Sequence, residues 1–234
     1  MLSLSIITIT KNDEKGFYKT LSSIPSKYRN RFEYIVINGG LPLNKKSLNG
    51  KVDFYLEEHD SGISEAFNKG INLAKGRYIL LLNSGDTLIS DNILRLAIDN
   101  LSNNENIICY GVHNKKTGFN IPSFKDSLDK IPHQGMLVAK EVYKKIGGYS
   151  NSFKLRMDYE FVRRAFNKKI NFIYMGEILS VYDKGGISSI LANRQLFYRE
   201  AVCIDILYNT YPSFQNLIRF IYWSFKNYFQ SNKN

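Results

Sequence analysis

The feature that most constrains this chain is an alternation of two periodicities. Apolar, β-branched runs at Leu4–Thr10, Phe32–Asn38, 52–57, 78–82 and 107–111 are separated by segments whose apolar residues recur at helical spacing. Runs with so little polar alternation suit strands buried on both faces, as in a parallel sheet covered by helices. Between them, residues 13–24 put Phe17, Leu21 and Ile24 on one stripe, and residues 63–74 do the same with Ile63, Ala66, Phe67, Ile71 and Ala74. Asp60 or Ser61 can cap the second of these helices and Gly76 can stop it. Leu94, Ala97, Ile98 and Leu101 mark a third. The predicted fold class is therefore α/β, with a mostly parallel central sheet flanked by helices and right-handed crossovers.

In such sheets ligands bind beyond the carboxyl ends of the strands. The polar groups there are Thr10-Lys11-Asn12, Asn38-Gly39-Gly40, Glu58-His59-Asp60 and Asn83-Ser84-Gly85-Asp86. The second half is more mixed. A segment from 133 to 146 ends in Gly147-Gly148, a helix is predicted over 158–167, and two short strands over 171–175 and 178–182 lead into Gly185-Gly186. From 190 onward two helices are expected, separated near Pro212.

Composition narrows the classes. With 44% apolar and 23% charged residues the 234-residue chain is globular, and it is long enough for one well-buried core with no linker dividing it. The first ten residues lack a basic leader and a cleavage site, and no run reaches the ~20 apolar residues that span a bilayer, so a cytoplasmic location is expected. Cys109 and Cys203 show no C-x-x-C spacing and are expected to be buried, reduced thiols. The net charge of +11 favours an anionic partner, either phosphorylated ligands or an anionic membrane face. Nucleic acid is not expected, because no helix-turn-helix, zinc-finger or RNA-binding signature is present.

Neither G-x-G-x-x-G nor G-x-x-x-x-G-K-[ST] follows the first strand, so a diphosphate must be held in another way. A carboxylate on a tight turn after a buried strand can bind Mg²⁺ or Mn²⁺ while leaving coordination positions for phosphate oxygens, and Asp86 fits that description. An aspartate in such a turn is also a common turn former, and that bland reading stands beside the functional one.

The chain resembles the family 2 glycosyltransferases of GT-A fold, in particular bacterial members that build polysaccharides and O-antigens. The likeness rests on SIITITKN at 5–12, EYIVINGG at 33–40, DSGISEAFNKGINLAKGRYILLLNSGD at 60–86, HQG at 133–135, MDYEF at 157–161 and KGGIS at 184–188, in that order. It implies a GT-A domain over 1–190, with a nucleotide-binding half at about 1–112 and an acceptor-binding half at about 113–190. Residues 191–234 form a helical extension. The resemblance assigns a nucleotide-sugar donor, UDP-linked for preference, to Thr8, Thr10, Lys11, Asn12, Asn38 and Asp60, with Asn68 and Lys69 near the phosphates. Asn83, Ser84 and Gly85 complete the donor side, and Asp86 matches the metal-binding aspartate. The family usually clusters several aspartates there, whereas this chain keeps one. Asp158 matches the general base of an inverting transfer, His133, Gln134 and Glu160 fall on the acceptor or sugar side, and Lys184, Gly185, Gly186 and Ser188 fall in a loop over the diphosphate.

The bland reading of Asp158 is a helix start that satisfies free N–H groups. A nucleotidyltransferase of the same fold would need a Gly- and Arg-rich phosphate loop, which is missing. A catalytically silent sugar- or lipid-binding subunit of a polysaccharide assembly complex is the reading from another class. Phe214, Leu217, Ile218, Ile221, Tyr222, Phe225 and Phe229 form a wide apolar stripe punctuated by Arg219 and Lys226. That pattern suits peripheral membrane contact through 212–230 by an enzyme with a saccharide or lipid-linked saccharide acceptor. Packing on the chain's own core or on a second copy in a homodimer is the alternative.

Overall fold

The apolar runs at Leu4–Thr10 and Phe32–Asn38 become fully buried strands, and the run at 52–57 becomes a half-exposed edge. The computed structural model describes residues 2–101, 104, 106–118, 120–121, 131–182, 190–208 and 214–231. In chain order the elements are β1 (Leu4–Thr10), α1 (Glu14–Ser23), β2 (Phe32–Asn38), α2 (Lys45–Leu48), β3 (Phe54–Glu57), α3 (Ile63–Leu73), β4 (Tyr78–Asn83), β5 (Thr87–Leu88) and α4 (Asp91–Asp99). There follow β6 (Asn106–Asn114), β7 (Asn120–Ile121), β8 (Met136–Ala139), α5 (Lys140–Ile146), α6 (Met157–Asn167), β9 (Asn171–Tyr182), α7 (Arg194–Leu207) and α8 (Phe214–Ser231).

The strands form a single sheet in the order β3-β2-β1-β4-β8-β6-β9-β5, with β7 paired to β6. Strands β3, β2, β1 and β4 are mutually parallel, and β6 and β9 pair in parallel, while β8 runs antiparallel to both β4 and β6. All seven residues of β1 and of β2 are buried, as expected for strands covered on both faces. The edge strand β3 is short and half exposed. From β1 the chain moves out to β2 and β3 and then returns to β4 on the other side. The strand order therefore reverses between β1 and β4, which opens a crevice at their carboxyl ends.

Several local details differ from expectation. Helix α3 is capped by neither Asp60 nor Ser61; its N-cap is Gly62, and the Ser61 N–H and hydroxyl donate to Glu65 at 2.9 and 2.5 Å. The two strands expected over 171–182 are one strand, β9. It crosses an irregularity opposite Gly111, where a bulge bends the pair without breaking it. Cys109 is buried, and burial pushes its thiol up to about 12, but Cys203 is exposed on α7. Both are free. Pro212 lies outside the described residues.

The helical extension is joined to α6 by buried polar groups. Asp205 accepts from the Tyr159 hydroxyl and, at 3.3 Å, from Arg163. The Tyr208 hydroxyl donates to Glu160 at 2.5 Å. Helix α8 lies on α7 through Gln195–Ser224, Gln195–Asn227 and Arg219–Tyr198 contacts. Phe214, Ile218, Ile221, Tyr222 and Phe225 remain exposed.

Candidate active site

Two clefts meet at the carboxyl ends of β1 and β4. The first, about 600 Å³, is lined by Thr10, Lys11 and Asp13 after β1, by Asp60 to Glu65 at the start of α3, and by Asn83 and Ser84 after β4. The second, about 450 Å³, is lined by Asn83, His133, Gln134, Arg156, Asp158, Tyr182 and Phe197 among others. Ile63, Asn83 and Lys154 line both.

The first cleft owes its shape to two glycines. Asp60 is buried against Gly39, where any Cβ would lie 1.6 Å from Asp60 Oδ2, so only glycine lets the carboxylate sit there. Lys11 Nζ approaches Asp60 Oδ1 at 3.5 Å and donates to its carbonyl at 3.2 Å. Gly85 turns the chain after β4 with φ of 95°, a value that suits glycine. Its N–H donates to Thr20 Oγ1 at 2.9 Å and its carbonyl accepts from Lys19 Nζ at 3.0 Å. Ser84 Oγ donates to Asp13 Oδ2 at 2.8 Å, fastening the loop after β4 to the start of α1.

Other residues assigned to the donor side are used up inside the fold. Thr8 is fully buried and accepts from the Tyr34 hydroxyl at 3.0 Å. The Asn38 amide donates to the Leu41 carbonyl and the Tyr55 hydroxyl and accepts from the Gly40 N–H, so it organises its own loop and does not line the cleft. Asn12, in the left-handed region with φ of 54°, accepts from the Leu41 N–H. Asn68 clamps both backbone groups of Tyr149 at 2.8 Å, away from either cleft. Lys69 is neutralised by Glu58 at 2.7 Å and Glu65 at 3.0 Å, and the Glu58 hydrogen bond raises its pKa. Thr8 and Asn38 are buried, Asn68 and Lys69 half-buried and Asn12 exposed, and each makes the local bonds described.

In the second cleft the central feature is a hydrogen-bonded pair. His133 Nδ1 lies 2.7 Å from Asp158 Oδ2, and the His133 backbone N–H points at the same oxygen from 3.4 Å. The Phe67 ring packs edge-on against the imidazole, with centroids 5.1 Å apart. Burial opposes protonation of His133, but the charge and hydrogen bond of Asp158, with the Asp86 charge behind them, raise its pKa overall. Asp158 Oδ1, His133 Nε2 and Asn83 Oδ1 are buried without a hydrogen-bond partner among the described residues. All three belong to residues that line this cavity. Buried polar atoms are rarely left unpaired in the absence of a functional reason.

Asp86 stands just behind that wall. Its carboxylate is 3% exposed and its Oδ2 accepts from Gln134 Nε2 at 2.9 Å and the Asn83 N–H at 3.2 Å. Among the described residues no cluster of three or more His, Cys, Asp or Glu side chains gathers to hold a metal. A carboxylate and an amide oxygen are hard donors of the kind a divalent cation takes; Asn83 Oδ1 has no hydrogen-bond partner among the described residues, and Asp86, which lines neither cleft, accepts from the Asn83 N–H.

Glu160 does not face either cleft. It is buried in a two-armed pair with Arg164, at 2.9 Å on both arms, and bonded to Tyr208, so at its observed position it ties α6 to the end of α7. Lys184, Gly185, Gly186 and Ser188 lie outside the described residues. The residues missed from the sequence are Asp13, Lys154 and Arg156. Asp13 directly follows the polar Thr10-Lys11-Asn12 group and could have been added to it; the other two sit in an unpatterned loop before α6. The Arg156 guanidinium lies 4.6 Å from both the Tyr159 and Phe197 rings.

Known proteins bear on this geometry. The sequence profile of Glycosyl transferase family 2 matches residues 5–170. The chain is 27% identical over 179 residues to the uncharacterized glycosyltransferase Rv1514c of Mycobacterium tuberculosis, covering 70% of this chain and 68% of that protein. It is 25% identical over 213 residues to a PGL/p-HBAD biosynthesis glycosyltransferase of Mycobacterium bovis, covering 83% and 82%. Among solved structures it is similar to S. aureus TarS residues 1–349 in complex with UDP-GlcNAc, with a TM-score of 0.65 at 17% identity, over 88% of this chain and 66% of that one. It is similar also to the mannosyltransferase PcManGT of Pyrobaculum calidifontis in complex with GDP-Man and Mn²⁺, with a TM-score of 0.68 at 14% identity, over 93% and 71%. The profile spans the β1–β4 crevice and the His133–Asp158 pair, and with the GT-A architecture shared by these structures the chain belongs to glycosyl transferase family 2.

Proposed function

We propose that the protein is an inverting, metal-dependent glycosyltransferase that moves a sugar from a nucleotide sugar, with UDP as the nucleotide, onto a saccharide or lipid-linked saccharide in cell-surface polysaccharide synthesis. The observation that carries this reading is the trio of unpaired buried atoms, Asp158 Oδ1, His133 Nε2 and Asn83 Oδ1, around the wall where the two clefts meet. In this reading the nucleoside occupies the first cleft beside Asp60 and Lys11, and the acceptor enters the second. Asp158 takes the proton of the acceptor hydroxyl on Oδ1, while His133 fixes the other oxygen. Attack from the face opposite the departing diphosphate gives inversion. A divalent cation, Mn²⁺ or Mg²⁺, held by Asp86 and Asn83 Oδ1, supplies Lewis-acid stabilisation of the diphosphate when bound. The complexes of UDP-GlcNAc with TarS and of GDP-Man and Mn²⁺ with PcManGT support this class of donor and cofactor.

Titration of UDP and GDP with and without Mn²⁺ tests the reading directly. Metal-dependent binding of one of them is expected, and binding of neither sinks it. Gly39→Ala gives a second check on the first cleft. The new methyl displaces the Asp60 carboxylate, and nucleotide affinity is expected to fall at least ~10-fold, about 1.4 kcal/mol, by calorimetry. Unchanged affinity would remove Asp60 from the site.

Membrane contact through α8 is a further part of the proposal. No helix among the described residues is long and apolar enough to cross a membrane. The exposed Ile218, Ile221, Tyr222 and Phe225, with Lys226 4.7 Å from the Trp223 ring, support an interfacial helix on the cytoplasmic face. Anionic vesicles are expected to float the full chain and not one ending before Pro212, and equal flotation would discard the idea.

A further inference from the structure

One cation at the junction of the clefts has no counterion among the described residues. Lys154 lines both cavities and its ammonium makes no hydrogen bond or ion pair among the described residues. Its neighbours in charge are committed: Lys11 turns to Asp60, Lys69 to Glu58 and Glu65, and Arg156 is stacked between Tyr159 and Phe197. The backbone that carries Lys154 is not left to wander. The successive N–H groups of Lys154, Leu155 and Arg156 all donate to the Glu200 carboxylate, each at 2.9 Å. Glu200 comes from α7 and is 6% exposed.

Three convergent N–H groups make an anion-binding nest, and here a carboxylate of the chain itself fills it. The nest is thus closed to substrate phosphates, and its service is to hold a loop. The residue that this loop contributes to both clefts is Lys154. A divalent ion held by Asp86 offsets only part of the charge of a departing diphosphate. A lysine whose backbone is held where the two clefts meet can supply the rest.

We propose that Lys154 binds and stabilises the diphosphate leaving group, and that Glu200 is the positioning residue that holds it at the junction. The proposal rests on the glycosyltransferase reading and adds to it a second source of positive charge, one supplied by the chain. It also gives the helical extension a part in the reaction.

The test compares diphosphate with monophosphate binding, using UDP, UMP, GDP and GMP in Mn²⁺, for wild type, Lys154→Met, Lys154→Arg and Glu200→Gln. Lys154 is exposed, so its replacements are expected to keep the fold, and thermal unfolding is followed for all four proteins. Lys154→Met is expected to lower diphosphate affinity at least tenfold and to leave monophosphate affinity within about twofold, and Lys154→Arg to restore most of the loss. Glu200→Gln is expected to reduce the same diphosphate preference by a smaller factor. A wild-type protein that prefers neither diphosphate over its monophosphate would take down the glycosyltransferase reading itself. A wild-type preference that survives intact in Lys154→Met overturns the Lys154 assignment alone. Glu200→Gln with a lowered unfolding midpoint and an unchanged preference removes Glu200 from it.

Discussion

Asp158→Asn is expected to lower turnover by roughly 10²- to 10⁴-fold while leaving nucleoside diphosphate affinity unchanged, the range that a positioned general base supplies. The substitution is selective because of the hydrogen bonds around it. An asparagine oxygen at Oδ2 still accepts from His133 Nδ1, and the amide nitrogen replaces Oδ1, which has no partner among the described residues. Initial rates alongside calorimetric titration of UDP and GDP make the check. A loss of turnover under tenfold, or a parallel loss of nucleotide binding, would show that the carboxylate serves the helix start and not the acceptor. His133 sets the second half of the expectation. Its ring is locked by Asp158 on one side and Phe67 on the other, so replacing it disturbs the orientation of the base and not the supply of a proton acceptor. The smaller loss of the two is expected for His133→Ala.

Asp86→Asn is expected to abolish metal-stimulated nucleotide binding and to reduce turnover by about 3 kcal/mol, on the order of 10²-fold. The amide oxygen can still accept from the Asn83 N–H and from Gln134 Nε2, so the turn after β4 is kept and only the charge is removed. Titration of Mn²⁺ in the presence and absence of UDP distinguishes the outcomes. If metal dependence persists in Asp86→Asn, the acidic ligand lies elsewhere and Asp86 is a turn former, as its 3% exposure would then suggest.

How much of this was written in the sequence follows from the range of the interactions. Strands β1 and β2 match their apolar runs residue for residue, because burial on both faces leaves no polar alternation to confuse the boundaries. The stripe on α3 was legible for the same local reason. Asp60, Asn83 and Ser84 were legible because strand ends announce themselves in sequence. What one position does with its side chain was not. Nothing in the sequence shows that Asn38 bonds its own loop and Tyr55, or that Asn68 bonds the Tyr149 backbone. The His133–Asp158 pair joins residues 25 apart across a turn and a helix start. Glu160 shares the first turn of α6 with Asp158, but helical rotation turns it toward Arg164 and Tyr208, and the sequence of α6 alone does not say that α7 waits there. Lys154 belongs to no periodic segment, so nothing in its surroundings singled it out.

The tie between α6 and α7 has a consequence for anyone who edits this chain. Tyr159, Glu160 and Arg163 on one side meet Asp205 and Tyr208 on the other in a seam of complementary charges and hydroxyls. Removing α7 would strand the polar groups of α6 without partners, a cost that buried charges make severe. A chimera spliced at residue 190 therefore mismatches both faces of the seam. One that carries the stretch from 154 to 208 as a block keeps lock and key together, and acceptor preference is expected to travel with that block.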